Sequence, residues 1–386
     1  MLQNALFGGK RYWILLGFWA LLILSGLFFY SQQLSDGLAI TGMSQDVSWG
    51  LYISQFTFLV GVAASAVMVV LPYYLHNYKA FGKMVILGEC LAVSAVLMCS
   101  LFIFVDLGQP MRVMNVLLHP APESVMFWDM IALMGYLVLN LVIGAVTLEA
   151  ERNGAPPRGW VKPLIYLSIP WAVSIHTVTA FLYSGLEARS FWMTAILAPR
   201  FLASAFASGP ALLILLALLM RNFTRFDPGK EAIGKLAIIV TYAMAVNLFF
   251  VIVEIFTGVY SDMPHHLEPL RYLFVGLHGH AALTPWIWVC ELLTVACVVL
   301  LLIPNVRKQE GLLTLLCVGV IVAIWIEKGM AMIVTGFIPS PLGHVTEYAP
   351  TGREIAITLG VYAIGFLVLT LLYKIVLTVR DRLEAA

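Results

Sequence analysis

Six ionisable side chains, Asp129, His176, Glu254, Glu291, Glu327 and Lys328, lie inside stretches otherwise apolar enough to cross a membrane. A charge at bilayer depth costs several kcal/mol on insertion scales, so such a group faces a protein interior or a wet cavity, and function is its default reading. The chemistry open to these types is proton uptake and release, either at a redox ligand or along an ion path. The set contains one histidine and no histidine pair, which excludes the usual axial ligation of a bis-histidine haem. All five cysteines, Cys90, Cys99, Cys290, Cys297 and Cys317, fall within predicted helices without a C-x-x-C pair. They offer neither an iron–sulfur ligand set nor a disulfide staple for an external loop, so any electron carrier belongs to a partner.

Helices must position these groups. Of 386 residues 61% are hydrophobic and only 11% charged, which excludes an ordinary soluble domain. Apolar runs near 20 residues predict an all-α polytopic membrane protein with ten helices, at 12–31, 48–75, 84–105, 125–147, 163–185, 199–220, 235–258, 282–303, 312–336 and 354–377. The longest connection, 259–281, is too short for a soluble domain. No small-residue cleavage site follows the first run, which is long enough to span and is read as a helix, not a signal peptide. Two small-residue patches, Gly61 with Ala63 to Ala66 and Ala203 to Ala205 with Ala207 to Gly209, would let helix backbones approach closely in lipid. The expected organisation is one membrane domain: a first four-helix bundle at 48–185, a second at 199–336, and peripheral helices at 12–31 and 354–377.

Sixteen of the 22 Lys and Arg residues, including Arg225 and Arg382, fall on the side of the two termini. The positive-inside rule therefore makes both termini cytoplasmic. The opposite connections carry Pro, His and aromatic clusters, with His119, His265, His266, His278, His280 and His344 among them. A metal site among the four histidines between 265 and 280 is conceivable, but interfacial histidines at a subunit contact are the preferred reading and no metal is expected. Trp286, Trp288, Tyr260, Tyr272 and Tyr348 fit an interfacial aromatic belt.

The run DLGQPMR from Asp106 to Arg112, with SVMFWDM from Ser124, resembles the NrfD/polysulphide reductase family of quinone-interacting membrane subunits. GMSQDVSWGLYISQFTFLVGVAAS, IHTVTAFLYSG and RFLASAFASGPALL extend the resemblance over most of the chain. The ten-helix length is similar to the larger branch, which includes the HybB hydrogenase anchor, and most of all to the DsrP type found in the sulfite-reduction-associated DsrMKJOP complex. The resemblance implies a haem-free subunit in a prokaryotic cytoplasmic membrane, without a cluster of its own. It would exchange electrons between menaquinone or ubiquinone and an extracytoplasmic ferredoxin-like iron–sulfur subunit. Further membrane, cytochrome and cytoplasmic subunits and membrane lipid are implied partners; nucleic acid is not. The family's quinone pocket lies toward the outer face of the first bundle. Where polysulphide reductase uses Asn and His, this chain offers Trp49, Tyr52, Gln55 and Phe56.

A quinone needs an apolar slot, hydrogen-bond partners for two carbonyl oxygens and a proton donor or acceptor. Tyr52 and Gln55 share a face of the second helix on neighbouring turns. Asp129 lies about one turn inside the fourth helix, and His176 about 18 Å along the fifth from its cytoplasmic start. Asp129 and His176 are the expected catalytic pair, completing a pocket with Trp49, Tyr52, Gln55 and Phe56. Asp106 and Arg112 bracket the Gly108–Pro110 turn and are expected to pair as loop support. Glu89, Tyr242, Asn247, Glu254, Glu291, Glu327 and Lys328 form a candidate proton path, weighed equally against a neutralised structural ion pair with protonated acids. Since consecutive helical residues lie about 100° apart, Glu291 or Glu254 is a better expected partner for Lys328 than Glu327. The leading reading is a quinone-reactive subunit of a redox complex in dissimilatory sulfur metabolism. The alternatives are a proton- or ion-conducting subunit and a passive anchor.

Overall fold

The computed structural model describes residues 7–155, 157–224 and 226–385, with side chains described through residue 380; Arg225 and the side chain of Arg382 lie outside the described residues. Among these, ten helices are long and apolar enough to cross a membrane: α1 (Lys10–Ile40), α2 (Leu51–Leu75), α3 (Lys79–Asp106), α4 (Val125–Arg152), α5 (Val161–Ser184), α6 (Leu197–Phe223), α7 (Lys230–Tyr260), α8 (Thr284–Leu302), α9 (Glu310–Thr335) and α10 (Gly352–Arg380). The fold is all-α; beyond helices, the described residues hold one isolated bridge, between Leu277 and His280. Ten crossings place both chain ends on one side, the termini face, and the α1–α2 and α9–α10 connections on the other, the far face.

Helices α2 to α5 pack in a ring, each on the next and α5 back on α2, and α6 to α9 do the same. The rings meet along α2 and α6, where the two small-residue patches pack against each other. A Cβ added at Gly209 would stand 3.0 Å from the Ser65 Cα, and one at Gly61 would stand 3.5 Å from the Ala205 Cα. This backbone approach supplies van der Waals contact that lipid would otherwise supply equally well to separated helices. α1 packs on α10, crossing where a Cβ on Gly26 would lie 2.7 Å from the Gly360 Cα. Only 6% of the residues in its most apolar window are buried, so α1 lies at the periphery with its contact along α10. α10 also packs on α3 and α4.

Two interruptions of regular helix matter for the interior. α2 tightens to a 3₁₀ turn at Ala64–Ala66, inside its small-residue patch. α9 widens to a π-helix at Trp325–Ala331, the segment that carries Glu327 and Lys328. Such π segments change the rotational phase of the side chains beyond them and recur at functional positions.

On the far face, the chain returning from α9 to α10 tucks Tyr348 over the start of α2. The Leu51 amide donates to its hydroxyl at 2.8 Å, and the hydroxyl donates to Glu354 at 2.7 Å. Burial, with the Glu354 carboxylate beside it, holds this phenol well above its usual range.

Candidate functional site

In the α2–α5 ring, a polar seam runs inward from the far face. Asp129, five residues into α4, is 4% exposed, and the Thr179 hydroxyl lies 2.6 Å from its Oδ1. The same hydroxyl lies 2.7 Å from the Ile175 carbonyl. A threonine has one proton to donate, so it can serve the Asp129 carboxylate or the Ile175 carbonyl but not both. A protonated Asp129 removes the conflict by donating to Thr179, which then donates to Ile175. Across the ring, Thr57 and Tyr183 share a 2.5 Å hydrogen bond that ties α2 to α5.

His176 sits three residues before Thr179, on the same face of α5 and one turn deeper. It is fully buried, and neither ring nitrogen has a partner. Lys328 enters the same region from α9: its Nζ stands 4.2 Å from the Phe201 ring centroid and 3.5 Å from the Phe201 carbonyl, and a Cβ on Gly61 would come within 3.4 Å of it. Its charge is near enough to act on His176 and Cys99.

The other residues expected in this pocket point elsewhere. Tyr52 donates to Gln33 of α1 at 2.8 Å, and Gln33 donates to the Val105 carbonyl at 2.6 Å. Gln55 accepts from Trp325 of α9 and Tyr362 of α10, both at 2.7 Å, leaving its Nε2 without a partner. Gln55 and Thr57 are two residues apart and hence about 200° around the helix, so Gln55 faces α9 and α10 while Thr57 faces α5. Trp49 joins an aromatic cluster at the far face with Tyr183, Trp192 and Phe337, at centroid distances of 5.7, 5.8 and 5.8 Å. Phe56 is buried, its carbonyl 3.8 Å from Cys99 Sγ. The structure therefore joins Asp129 and His176 through α5 and sets Tyr52 and Gln55 on the far side of α2, with Trp49 capping the seam through Tyr183.

The expected pair between Asp106 and Arg112 does not form. Arg112 is exposed on its 3₁₀ turn, and among the described residues no ion pair links it to Asp106. Asp106 ends α3, and helical side chains lean back toward the N-terminus, which carries its carboxylate inward with Oδ1 unpartnered.

The α6–α9 ring holds a compact ion cluster. Arg200 of α6 donates to Glu327 Oε1 from Nε at 3.0 Å and from Nη2 at 2.8 Å, and it also pairs with Glu254. The remaining Glu327 oxygen accepts from Asn247 at 2.8 Å. Glu291 lies close enough to feel both Glu327 and Arg200. Lys328 takes neither Glu291 nor Glu254 as its partner: Glu254 is held by Arg200, and Lys328, on the π-helical segment, points toward Phe201 of α6 and Gly61 of α2. Tyr242 is 66% exposed on the outside of α7, five residues and hence about 140° around from Asn247. It does not join the path expected for it.

Glu89 is also separate. It lies in the α2–α5 ring with both carboxylate oxygens unpartnered, beside Asn140 in a cavity of about 240 Å³ toward the termini face. A cavity of about 290 Å³ on the far face is lined by Glu254, Thr257, Ser261 and His266. The proposed path residues thus fall into a joined group, Asn247, Glu254, Glu327 and the nearby Glu291, and three residues outside it: Glu89, Tyr242 and Lys328. No three His, Cys, Asp or Glu side chains gather at one point among the described residues; His280 instead stands 3.5 Å from Glu347.

Arg200, Thr179, Thr57, Tyr183, Gln33, Trp325 and Tyr362 were not singled out from sequence. Arg200 carried a usable signal, since it lies three residues inside an apolar span. Thr179 did too, being one turn from His176.

Residues 39–338 match the family model described as polysulphide reductase, NrfD. A membrane protein of Halobacterium salinarum, named as a putative dimethyl sulfoxide reductase membrane subunit, is 26% identical over 92% of this chain and 88% of its own length. An Hdr-like menaquinol oxidoreductase integral membrane subunit from Archaeoglobus fulgidus is 24% identical over 65% of this chain and 62% of its own. The menaquinone reductase integral membrane subunit of Nitratidesulfovibrio vulgaris is 21% identical over 90% of this chain and 87% of its own length.

Proposed function

The chain belongs to the NrfD polysulphide reductase family, and on that premise we propose that it is the quinone-reactive membrane subunit of a multisubunit redox complex. Electrons would pass between menaquinone or ubiquinone and a ferredoxin-like iron–sulfur subunit docked on the far face. Two relatives named for menaquinol or menaquinone chemistry support this reading. The basic residues of the termini face support a cytoplasmic location for both chain ends in a prokaryotic inner membrane. Service in sulfur metabolism, within a DsrMKJOP-like assembly that adds membrane, cytochrome and cytoplasmic subunits, is supported by the Asp106–Arg112 run and the ten-helix length.

The observation that carries the proposal is His176: fully buried, unpartnered at both ring nitrogens, and one turn below the Asp129–Thr179 contact. An unmade hydrogen bond at a buried polar group is costly, and a ligand with acceptor oxygens relieves it. A quinone carbonyl fits the imidazole N–H; the unpartnered Gln55 Nε2 faces α9 and α10 on the opposite side of α2 and takes no part in this contact. When bound, a quinone supplies a two-electron, two-proton couple. His176 would hold one carbonyl by hydrogen bond. Asp129 would bind and release the proton, with Thr179 switching its own donation between Asp129 and the Ile175 carbonyl in step. Trp49, Trp192 and Phe337 exclude water from the far-face end.

The test uses the purified complex with the variants Asp129→Asn and His176→Ala. Quinol-dependent electron transfer is expected to fall by at least ~10²-fold, the scale of a lost acid–base group, with assembly intact. His176→Ala should also weaken binding of an inhibitory quinone analogue. Unchanged turnover in both variants overturns the residue assignment, and failure of the complex to bind any quinone leaves the passive anchor.

A second reading, an ion-conducting role for the α6–α9 ring, is favoured by the cavity that opens on Glu254 beside Arg200. Proton movement in liposomes without a redox partner would support it.

A further inference from the structure

The termini face of the α6–α9 ring holds a cavity of about 540 Å³ between the starts of α7 and α9 and the end of α8. Four cationic side chains line it: Lys230, Lys235, Arg307 and Lys308. Its two carboxylates are both committed elsewhere. Glu231 accepts from the Tyr78 hydroxyl at 2.7 Å, and Glu310 is paired with Arg221, whose Nη1 lies 3.0 Å from Oε1. Lys230 and Lys308 are exposed and make no hydrogen bond or ion pair among the described residues, and Arg307 donates from Nη1 to the Leu301 carbonyl. The first turns of α7 and α9 also direct their backbone N–H groups toward this end, which adds positive potential.

The wall of the cavity is apolar where it runs into the membrane. Ile238 lines it one turn beyond Lys235, and Tyr242 follows one turn further on the same stripe of α7, 66% exposed. A soluble anion would use the cations and leave this stripe unused. A molecule with a phosphate at one end and hydrocarbon at the other would use both.

We propose that this cavity is a binding site for the headgroup of an anionic phospholipid, its phosphate held by Lys230, Arg307 and Lys308 and an acyl chain lying along the Lys235–Ile238–Tyr242 stripe. The site is independent of the quinone reading. Basic pockets between spanning helices gain roughly 1 kcal/mol of attraction per cation from anionic lipid, or about fivefold in affinity.

The full-length protein, purified with its complex, is reconstituted into phosphatidylcholine discs doped with phosphatidylglycerol, and retained lipid is read by native mass spectrometry. A parallel arm uses phosphatidylcholine discs with inorganic phosphate. Wild-type protein should retain phosphatidylglycerol, and Lys230→Gln, Arg307→Gln and Lys308→Gln should each lower its affinity roughly fivefold, cumulatively. Lys162→Gln, elsewhere on the same face, should change nothing. Retention by wild type should also fall as salt is raised, a measurement that needs no variant. The proposal is overturned if the variants retain phosphatidylglycerol as wild type does, if retention ignores salt, or if inorganic phosphate displaces the lipid completely at equal concentration.

Discussion

The α2–α5 and α6–α9 rings face one physical problem, polar side chains at membrane depth, and meet it in opposite ways. In the second ring the polar groups pair with each other: Arg200 bridges Glu254 and Glu327, and Asn247 donates to the remaining Glu327 oxygen. In the first ring Asp129 has one shared threonine proton, while His176 and Glu89 have no protein partner. A buried group left unsatisfied costs free energy that packing alone does not return, so the first ring holds its polar groups at a penalty that a ligand or a proton can relieve. The second ring ties its central carboxylates to Arg200 and Asn247, leaving the Asn247 Oδ1 without a partner. The contrast supports placing the proposed ligand chemistry in the first ring and gives the second a fastening role.

The largest expected effect attacks the ion-paired ring. Arg200→Ala strands two carboxylates and should lower stability by about 3–5 kcal/mol, the scale for breaking a buried pair from one side. Thermal unfolding of the purified subunit measures it, and adding Glu254→Gln with Glu327→Gln should recover part of the loss. A null result would erase the difference between the rings. In the first ring the sign should reverse: Glu89→Leu removes an unpartnered buried carboxylate and should raise stability by about 1–3 kcal/mol in the same assay. Thr179→Val, which takes away the only side-chain hydrogen bond to Asp129 among the described residues, should cost about 1 kcal/mol and slow quinol turnover. A stability loss with turnover untouched would make that contact architectural. Smallest is Tyr242→Phe, expected within about 0.5 kcal/mol of wild type with unaltered turnover, as for a surface substitution. A marked fall in turnover would return Tyr242 to the polar path.

Much of this contrast was legible one residue at a time. Asp129, His176, Glu254 and Glu327 stand out because ionisable groups in apolar runs are expensive. Their pairing was not legible. Arg200 counts by position as a far-face residue, yet its long side chain reaches inward to the α9 π-helix, and it already holds Glu254, one of the two carboxylates expected to take Lys328. Gln55 reads as a pocket residue, but its partners Trp325 and Tyr362 are 270 and 307 positions away. The small-residue patches of α2 and α6 read as places where helices could approach closely; in the fold they are the two sides of one contact.

Sequence by itself determined the ten apolar spans, the shared side of the two termini, the family and the identity of most membrane-depth polar groups, because each follows from transfer free energies and short motifs summed along the chain. Only the tertiary structure decided which polar groups pair with each other and which stay unmet. That outcome depends on rotational phase, and a step of two residues around α2 or a few π-helical residues in α9 redirects a side chain from one ring to the other.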